Sequence, residues 1–146
     1  MTLLPKDLEI WLGLRLLNLH QAVYERSGGR IGAELGGRKM LLLTTTGRRS
    51  GTRRTVALLY VDDGGKLVVV GSKGGSDTAP AWFLNLEAEP ACRVQVGTRR
   101  FRARARVAQG KQRSRLWREV VKAWPDYDRY QARTDRQIPI VILDPS

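Results

Sequence analysis

The tetrapeptide Asp62-Asp63-Gly64-Gly65, set between two β-forming runs, constrains this chain more than any other feature. Thr55-Val56-Ala57-Leu58-Leu59-Tyr60-Val61 precedes it and Lys66-Leu67-Val68-Val69-Val70 follows it. Asp and Gly tolerate the positive φ angles of the tightest hairpin turns, so the two runs are expected to pair antiparallel. Residues 92–96 and 100–107 flank Gly97-Thr98 in the same way. Strands joined by such short turns cannot lie parallel, which excludes a doubly wound sheet.

The remaining segments fit this frame. Met40-Leu41-Leu42-Leu43-Thr44-Thr45-Thr46 reads as a strand, because β-branched threonines suit a pleated surface. Gly47-Arg48-Arg49-Ser50-Gly51 reads as a turn, and Gly71 to Gly75 as the stop after residues 66–70. In residues 100–107, Phe101, Ala103, Ala105 and Val107 share one face and Arg100, Arg102, Arg104 and Arg106 the other. Asp77 or Thr78 is expected to cap a short helix over residues 80–86, which Pro90 terminates. Trp117, Val120, Val121 and Trp124 follow helical spacing up to Pro125, after which Tyr127 and Tyr130 lie in a polar segment. Residues 138–143 form a closing strand whose Pro139 puts its start at an edge or outside the ladder. The expected class is mainly β with some α: a small antiparallel barrel with flanking helices.

At the N-terminus, Pro5 opens a helix in which Leu8, Trp11, Leu12, Leu16, Leu19 and Val23 recur at steps of three and four. Ile10, Leu14 and Leu17 widen that stripe past half the circumference, and the helix ends before Ser27-Gly28-Gly29. The expectation is that it packs on the core, the alternative that part of it rests on a membrane surface. Two units result: an N-terminal helix in residues 1–30 and a barrel in residues 38–146. Lys6, Asp7 and Glu9 break any signal-peptide pattern, and charges inside the apolar stretch argue against a span. With one cysteine, the expected compartment is the cytoplasm.

Lys and Arg number 26 against 14 Asp and Glu, a net charge of +12. Such a charge calls for an anionic partner. One cysteine, Cys92, and one histidine, His20, leave no disulfide and no multi-histidine or cysteine metal centre; Cys92 reads as a small buried strand residue and His20 as a surface or packing residue. The first basic loop carries Arg48, Arg49, Arg53 and Arg54, the second Ser72 and Lys73. Each is either a solvated hairpin tip or half of a site for a small, multiply charged ligand, since turn amides and guanidinium forks both hold anions. Neither has P-loop spacing. The arginine stripe reads as a solvated outer face; tracking of a nucleic-acid backbone is the alternative, without the interleaved aromatics of single-strand binders. Trp82, Phe83 and Asn85, and separately Trp124, Tyr127 and Tyr130, are either core or the walls of a pocket for a flat molecule.

Four motifs, Thr45-Thr46-Gly47-Arg48-Arg49-Ser50-Gly51, Ser72-Lys73-Gly74-Gly75, Pro80-Ala81-Trp82-Phe83-Leu84-Asn85-Leu86 and Thr134-Asp135-Arg136-Gln137-Ile138-Pro139, fall in one order. Together they resemble the deazaflavin-dependent nitroreductase and quinone reductase family of actinobacteria, over residues 40–145. The resemblance implies a split β-barrel related to flavin-binding barrels, and reduced coenzyme F420 as hydride donor to a planar quinone or nitroaromatic. It implies that Arg48, Arg49 and Ser50 meet the cofactor's phosphate and acidic tail. Arg54, Thr55, Val56, Ala57, Leu58 and Leu59 run beneath it. Val70, Gly71, Ser72 and Lys73 lie beside the ring and phosphate, and Ala81, Trp82, Phe83, Leu84 and Asn85 wall the ring. Trp124, Tyr127 and Tyr130 face the substrate, with Tyr130 or Ser72 supplying or positioning a proton. No nucleic acid is expected as partner, and the first helix offers a peripheral contact with the inner face of the membrane. Arg49 stands where lysine is frequent, Ala81 where methionine is common, and Leu59 where a tyrosine occurs. A nucleic-acid-binding barrel, a non-catalytic deazaflavin-binding protein and an ordinary flavoprotein are the rival readings.

Overall fold

The computed structural model describes residues 6–35 and 37–146. The expected helix start at Pro5 lies outside them. Eight strands are present: β1 (Glu34–Leu35), β2 (Arg38–Thr46), β3 (Arg53–Leu59), β4 (Val61–Asp63), β5 (Lys66–Val70), β6 (Ala91–Val96), β7 (Arg99–Val107) and β8 (Ile140–Pro145). Four helices accompany them: α1 (Lys6–Arg26), α2 (Ala81–Ala88), α3 (Gly110–Ala123) and α4 (Asp126–Ala132).

Every strand pair is antiparallel, in the order β1-β2-β6-β7-β8-β5-β4, with β3 on the other side of β2. The Gly64-Gly65 turn joins β4 to β5 with φ of 64° and 93°, a geometry that glycine adopts without strain. The single strand expected over residues 55–61 is two strands. It breaks at Tyr60, whose N–H donates to the Lys39 carbonyl oxygen. Before the break Leu59 pairs with Met40 of β2; after it Val61 pairs with Val68 of β5. One stretch of chain therefore visits both ends of the strand order and curls the sheet on itself as a split barrel.

The apolar runs are continuous because both faces of these strands are covered. Leu41, Leu43, Leu67, Val69, Val94, Val141 and Leu143 fill the barrel interior with Trp82 and Leu86 of α2. Val68, Val70, Ile140 and Ile142 turn outward under Leu116 and Val120 of α3 and Tyr127 of α4. The helical stripe expected on Trp117, Val120, Val121 and Trp124 is thus centred on Leu116 and Val120, the two buried residues of α3, and Trp124 caps its end. The segment after Pro125, read from the sequence only as polar, is the helix α4, with Asp126 and Asp128 in its first turn favouring the positive end of the helix dipole. Pro139 lies just outside the ladder, yet β8 is a central strand between β7 and β5. The alternation in β7 holds through Ala105 and fails at Val107, which is exposed.

Two further expectations are corrected. Neither Asp77 nor Thr78 caps α2; Pro80 occupies the capping position without a side-chain bond, and Asp77 pairs with Lys6 instead. And α1 does not pack on the core along its length. Tyr24 is its only buried residue; its hydroxyl donates to the Met40 carbonyl and accepts from the Gly97 N–H. Residues 11–19 are all exposed, Leu16 and Leu19 at 70% and 66%. Its anchors lie toward its two ends, Lys6 and Glu9 at one and Gln21 and Tyr24 at the other. Among the described residues no helix is long and apolar enough to cross a membrane.

Candidate functional site

The two basic loops lie at one end of the barrel and are tied together by α2. Asn85, buried at 3% exposure, accepts from the Arg48 N–H at 3.2 Å and from Arg48 Nη1 at 3.0 Å. Its Nδ2 donates to Thr45 Oγ1 at 3.1 Å. A buried amide bonded on both sides fixes the turn to the helix. The Arg48, Arg49 and Ser50 side chains are left exposed, and so are Arg53 and Arg54 at the start of β3. The other end of α2 reaches the second loop, where Pro80 and Pro139 pack against Gly71.

That second loop is wound unusually tightly. Ser72, buried, is in the right-handed region at φ −78°, and Lys73 follows at φ 45°, the sole non-glycine among the described residues with positive φ. Gly74 and Gly75 continue at 62° and 83°. A right-handed residue followed by a left-handed one turns successive N–H groups toward one side, a concavity that suits an anion. Gly75 is obligatory on two counts: its φ, and the Tyr130 carbonyl oxygen, which would lie 2.7 Å from an added Cβ. Arg136 holds the loop from behind. Its Nε donates to the Ser76 carbonyl at 2.7 Å, Nη1 to that of Gly71 at 3.1 Å, and Nη2 to that of Ser72 at 2.8 Å. Arg133 Nη1 donates to the Gly74 carbonyl at 3.0 Å.

The strand expected to run beneath a ligand, residues 54–59, is β3. Val56 and Leu58 turn toward the barrel core, and Thr55 meets Thr44 through their hydroxyls at 2.8 Å. Ala57 lies under α1 with Tyr24, and Leu59 packs against that cluster. Val70 is buried and Gly71 begins the loop. In α2, Trp82 is buried in the barrel core and meets Phe83 edge-on at 6.3 Å, while Ala81 is exposed and Leu84 half-buried.

The structure divides the C-terminal aromatic group. Trp124 and Tyr127 line a cavity of about 340 Å³ with Tyr60 and Val70, and the Arg38 guanidinium lies 4.1 Å from the Trp124 ring. Tyr127 is a core residue whose phenol burial pushes well above its usual range. Tyr130 is not among the lining residues; it meets Tyr127 edge-on at 6.2 Å, and its backbone packs on Gly75. The arginine stripe lies outward as expected. Arg93, Arg100 and Arg102 border a concavity of about 560 Å³ with Thr44, Thr55 and Glu25. Cys92 is buried, and burial pushes its thiol up to about 11. His20 bonds to the Gly32 carbonyl at 2.7 Å and meets Tyr24 edge-on. Sequence reasoning missed the part played by Arg133 and Arg136. Arg136 lies inside the fourth motif, which was the available signal; its targets are 60 to 65 residues away in the chain.

The comparisons with known proteins agree with this architecture. The family model described as F420H2-dependent quinone reductase matches residues 16–145. An F420H2-dependent quinone reductase of Mycobacterium tuberculosis (strain H37Rv) is 40% identical over 145 residues, covering 94% of this chain and 97% of that protein. The solved structure of an F420H2-dependent reductase (FDR-A) superposes with a TM-score of 0.67 at 40% identity, over 72% of this chain and 93% of that one. A haem-storage protein of Vibrio cholerae, 15% identical with a TM-score of 0.55 over 75% of this chain and 82% of its own, shares the fold alone. The strand order and the sequence likeness lead to one assignment: this chain belongs to the F420H2-dependent quinone reductase family, oxidoreductases built on a split β-barrel.

Proposed function

We propose that this protein holds reduced coenzyme F420 with the cofactor's phosphate at the 71–76 loop and its acidic tail toward Arg48, Arg49 and Arg54, and that a quinone is the acceptor. One observation supports the reading: a buried serine, a left-handed lysine and two left-handed glycines form a tight loop at the end of β5, where the sequence resemblance implies the cofactor's ring and phosphate lie. The amides of Gly71, Gly75 and Ser76 are bonded internally, so the amides of residues 72–74 and Lys73, with the exposed arginines of the neighbouring turn, form the donor set that fits an anionic, extended molecule.

When bound, the deazaflavin supplies the hydride. The chain supplies binding, orientation and proton handling. The β3 backbone and α2 would shield one side of the bound ring from water. The hydroxyl of Ser72 or of Tyr130 holds a proton for the acceptor oxygen. Trp124 and Tyr127 border the acceptor's approach. A nitroaromatic is a second flat, electron-poor acceptor for the same surface. The protein works in the cytoplasm, and the unburied apolar side chains of α1, Trp11, Leu16 and Leu19 among them, rest on the inner face of the membrane.

The test is a titration with reduced F420 followed by menadione. Lys73→Ala and Arg48→Ala each remove a charged hydrogen bond worth about 1.5–3 kcal/mol, so the cofactor Kd is expected to rise roughly ten- to a hundredfold. Unchanged affinity in both variants defeats the loop assignment. Tight binding without cofactor oxidation by menadione means a binding protein rather than a reductase.

A further inference from the structure

The loop at residues 72–75 is strained, because Lys73 carries a side chain in the left-handed region. Such a conformation persists only where the surroundings over-determine it. Arg136 secures both flanks through Gly71, Ser72 and Ser76. The apex, Gly74, is secured by a different device. Its carbonyl accepts from Arg133 Nη1 at 3.0 Å, and Arg133 Nη2 donates to Glu9 Oε2 at 2.8 Å. The Arg133 side chain is only 17% exposed, so its charge needs a partner. A guanidinium is a rigid fork, and a carboxylate gripping one prong sets the direction of the other. Glu9 therefore aims Arg133 at Gly74.

Glu9 belongs to the first turns of α1, which lie across the loop. Ile10 packs on Gly74, and Lys6 Nζ donates to Asp77 at 3.3 Å and to the Arg133 carbonyl at 3.0 Å. Further along α1, Gln21 Nε2 donates to the Thr55 carbonyl at 2.7 Å, and Gln21 Oε1 accepts from the Ala57 N–H at 3.2 Å. Both groups belong to β3, whose strand partner is β2. Twelve residues separate Glu9 from Gln21, about 18 Å of helix. One rigid rod thus touches both segments proposed to hold the cofactor, while residues 11–19 between the two anchors stay exposed.

We infer that Glu9 is a positioning residue of the cofactor site, acting through Arg133 on the Gly74 carbonyl, and that α1 is a working part of the site rather than an appendage to the barrel. The inference rests on the assignment of the 71–76 loop to the cofactor. Three measurements on the full chain test it: amide hydrogen exchange of residues 72–75 without cofactor, the Kd for F420 followed by its fluorescence, and the KM for menadione. Glu9→Gln is expected to speed exchange in the loop at least tenfold and raise the F420 Kd about fivefold, with the menadione KM unmoved. In an Arg133→Lys background the same change is expected to add little, as befits two members of one chain of contacts. Arg129→Gln is the control for folding: it removes the other partner of Glu9, at 3.1 Å, without touching Gly74. It is expected to leave exchange and Kd as they were; an equal effect from it means general loosening of α1 and overturns the inference. Unchanged loop exchange in Glu9→Gln also overturns it. Faster exchange with an unchanged Kd overturns the assignment of the loop to the cofactor, and the inference falls with it.

Discussion

Arg136 shows how much a single side chain decides here. Three of its N–H groups meet three carbonyls of one loop, so it substitutes for a stretch of secondary structure. Its motif was visible in the chain, but its task was not. Pattern reading detects neighbours in sequence, and this arginine works across 60 to 65 residues. Asn85 was legible as a residue of the site for the opposite reason: it lies in a short helix between two loops, where a polar residue among apolar ones must find partners. Cys92 was read as a small buried strand residue, and it is; its thiol contacts the Ala103 carbonyl at 3.5 Å. With its pKa pushed up to about 11, it has almost no thiolate near neutrality. Maleimide is expected to leave the native protein unlabelled at pH 7.5 and to label it fully in denaturant, which mass spectrometry reads directly.

Among the elements, those with one strong period were the easiest to recognise. The hairpins around Gly64-Gly65 and Gly97-Thr98 follow from turn chemistry, and the buried strands from their continuous apolar runs. The helices were harder. In α3 the aromatic Trp117 and the pair Val120 and Val121 drew the eye, while Leu116 marks the true centre of the buried face. Leu116→Ala is therefore expected to cost about 2–5 kcal/mol of stability, and Val121→Ala clearly less, because its site is half exposed. Urea unfolding midpoints of the two variants check this. Helix α1 misled for a physical reason: apolar periodicity tells which residues avoid water, not which surface receives them.

For the molecule as a whole, the +12 net charge coexists with ion pairs that tie the sheet to itself and to its helices. Arg115 grips Asp63 with two bonds of 3.0 Å and joins α3 to β4. Arg106 and Lys66 flank Asp144 in β8. The Arg115 hydrogen bond holds the Asp63 carboxyl below its ordinary range; at Asp144 burial pushes upward, and Arg106 and Lys66 outweigh it to leave that carboxyl low as well. A carboxyl depressed in the folded state contributes stability that is present above the unfolded pKa, about 3.9, and is lost as pH falls through the lower folded value. Asp63→Asn is expected to flatten the acid limb of the stability curve below about pH 4 and to leave its shape near neutrality alone. Thermal melts from pH 2 to 7 decide it.

The break at Tyr60 has a consequence for assembly of the ring. Residues 53–63 are a seam that belongs to both margins of the sheet, so neither half is complete until the other has arrived. The chain should melt in one cooperative step, and a nick at this seam should leave two fragments that regain order only when mixed.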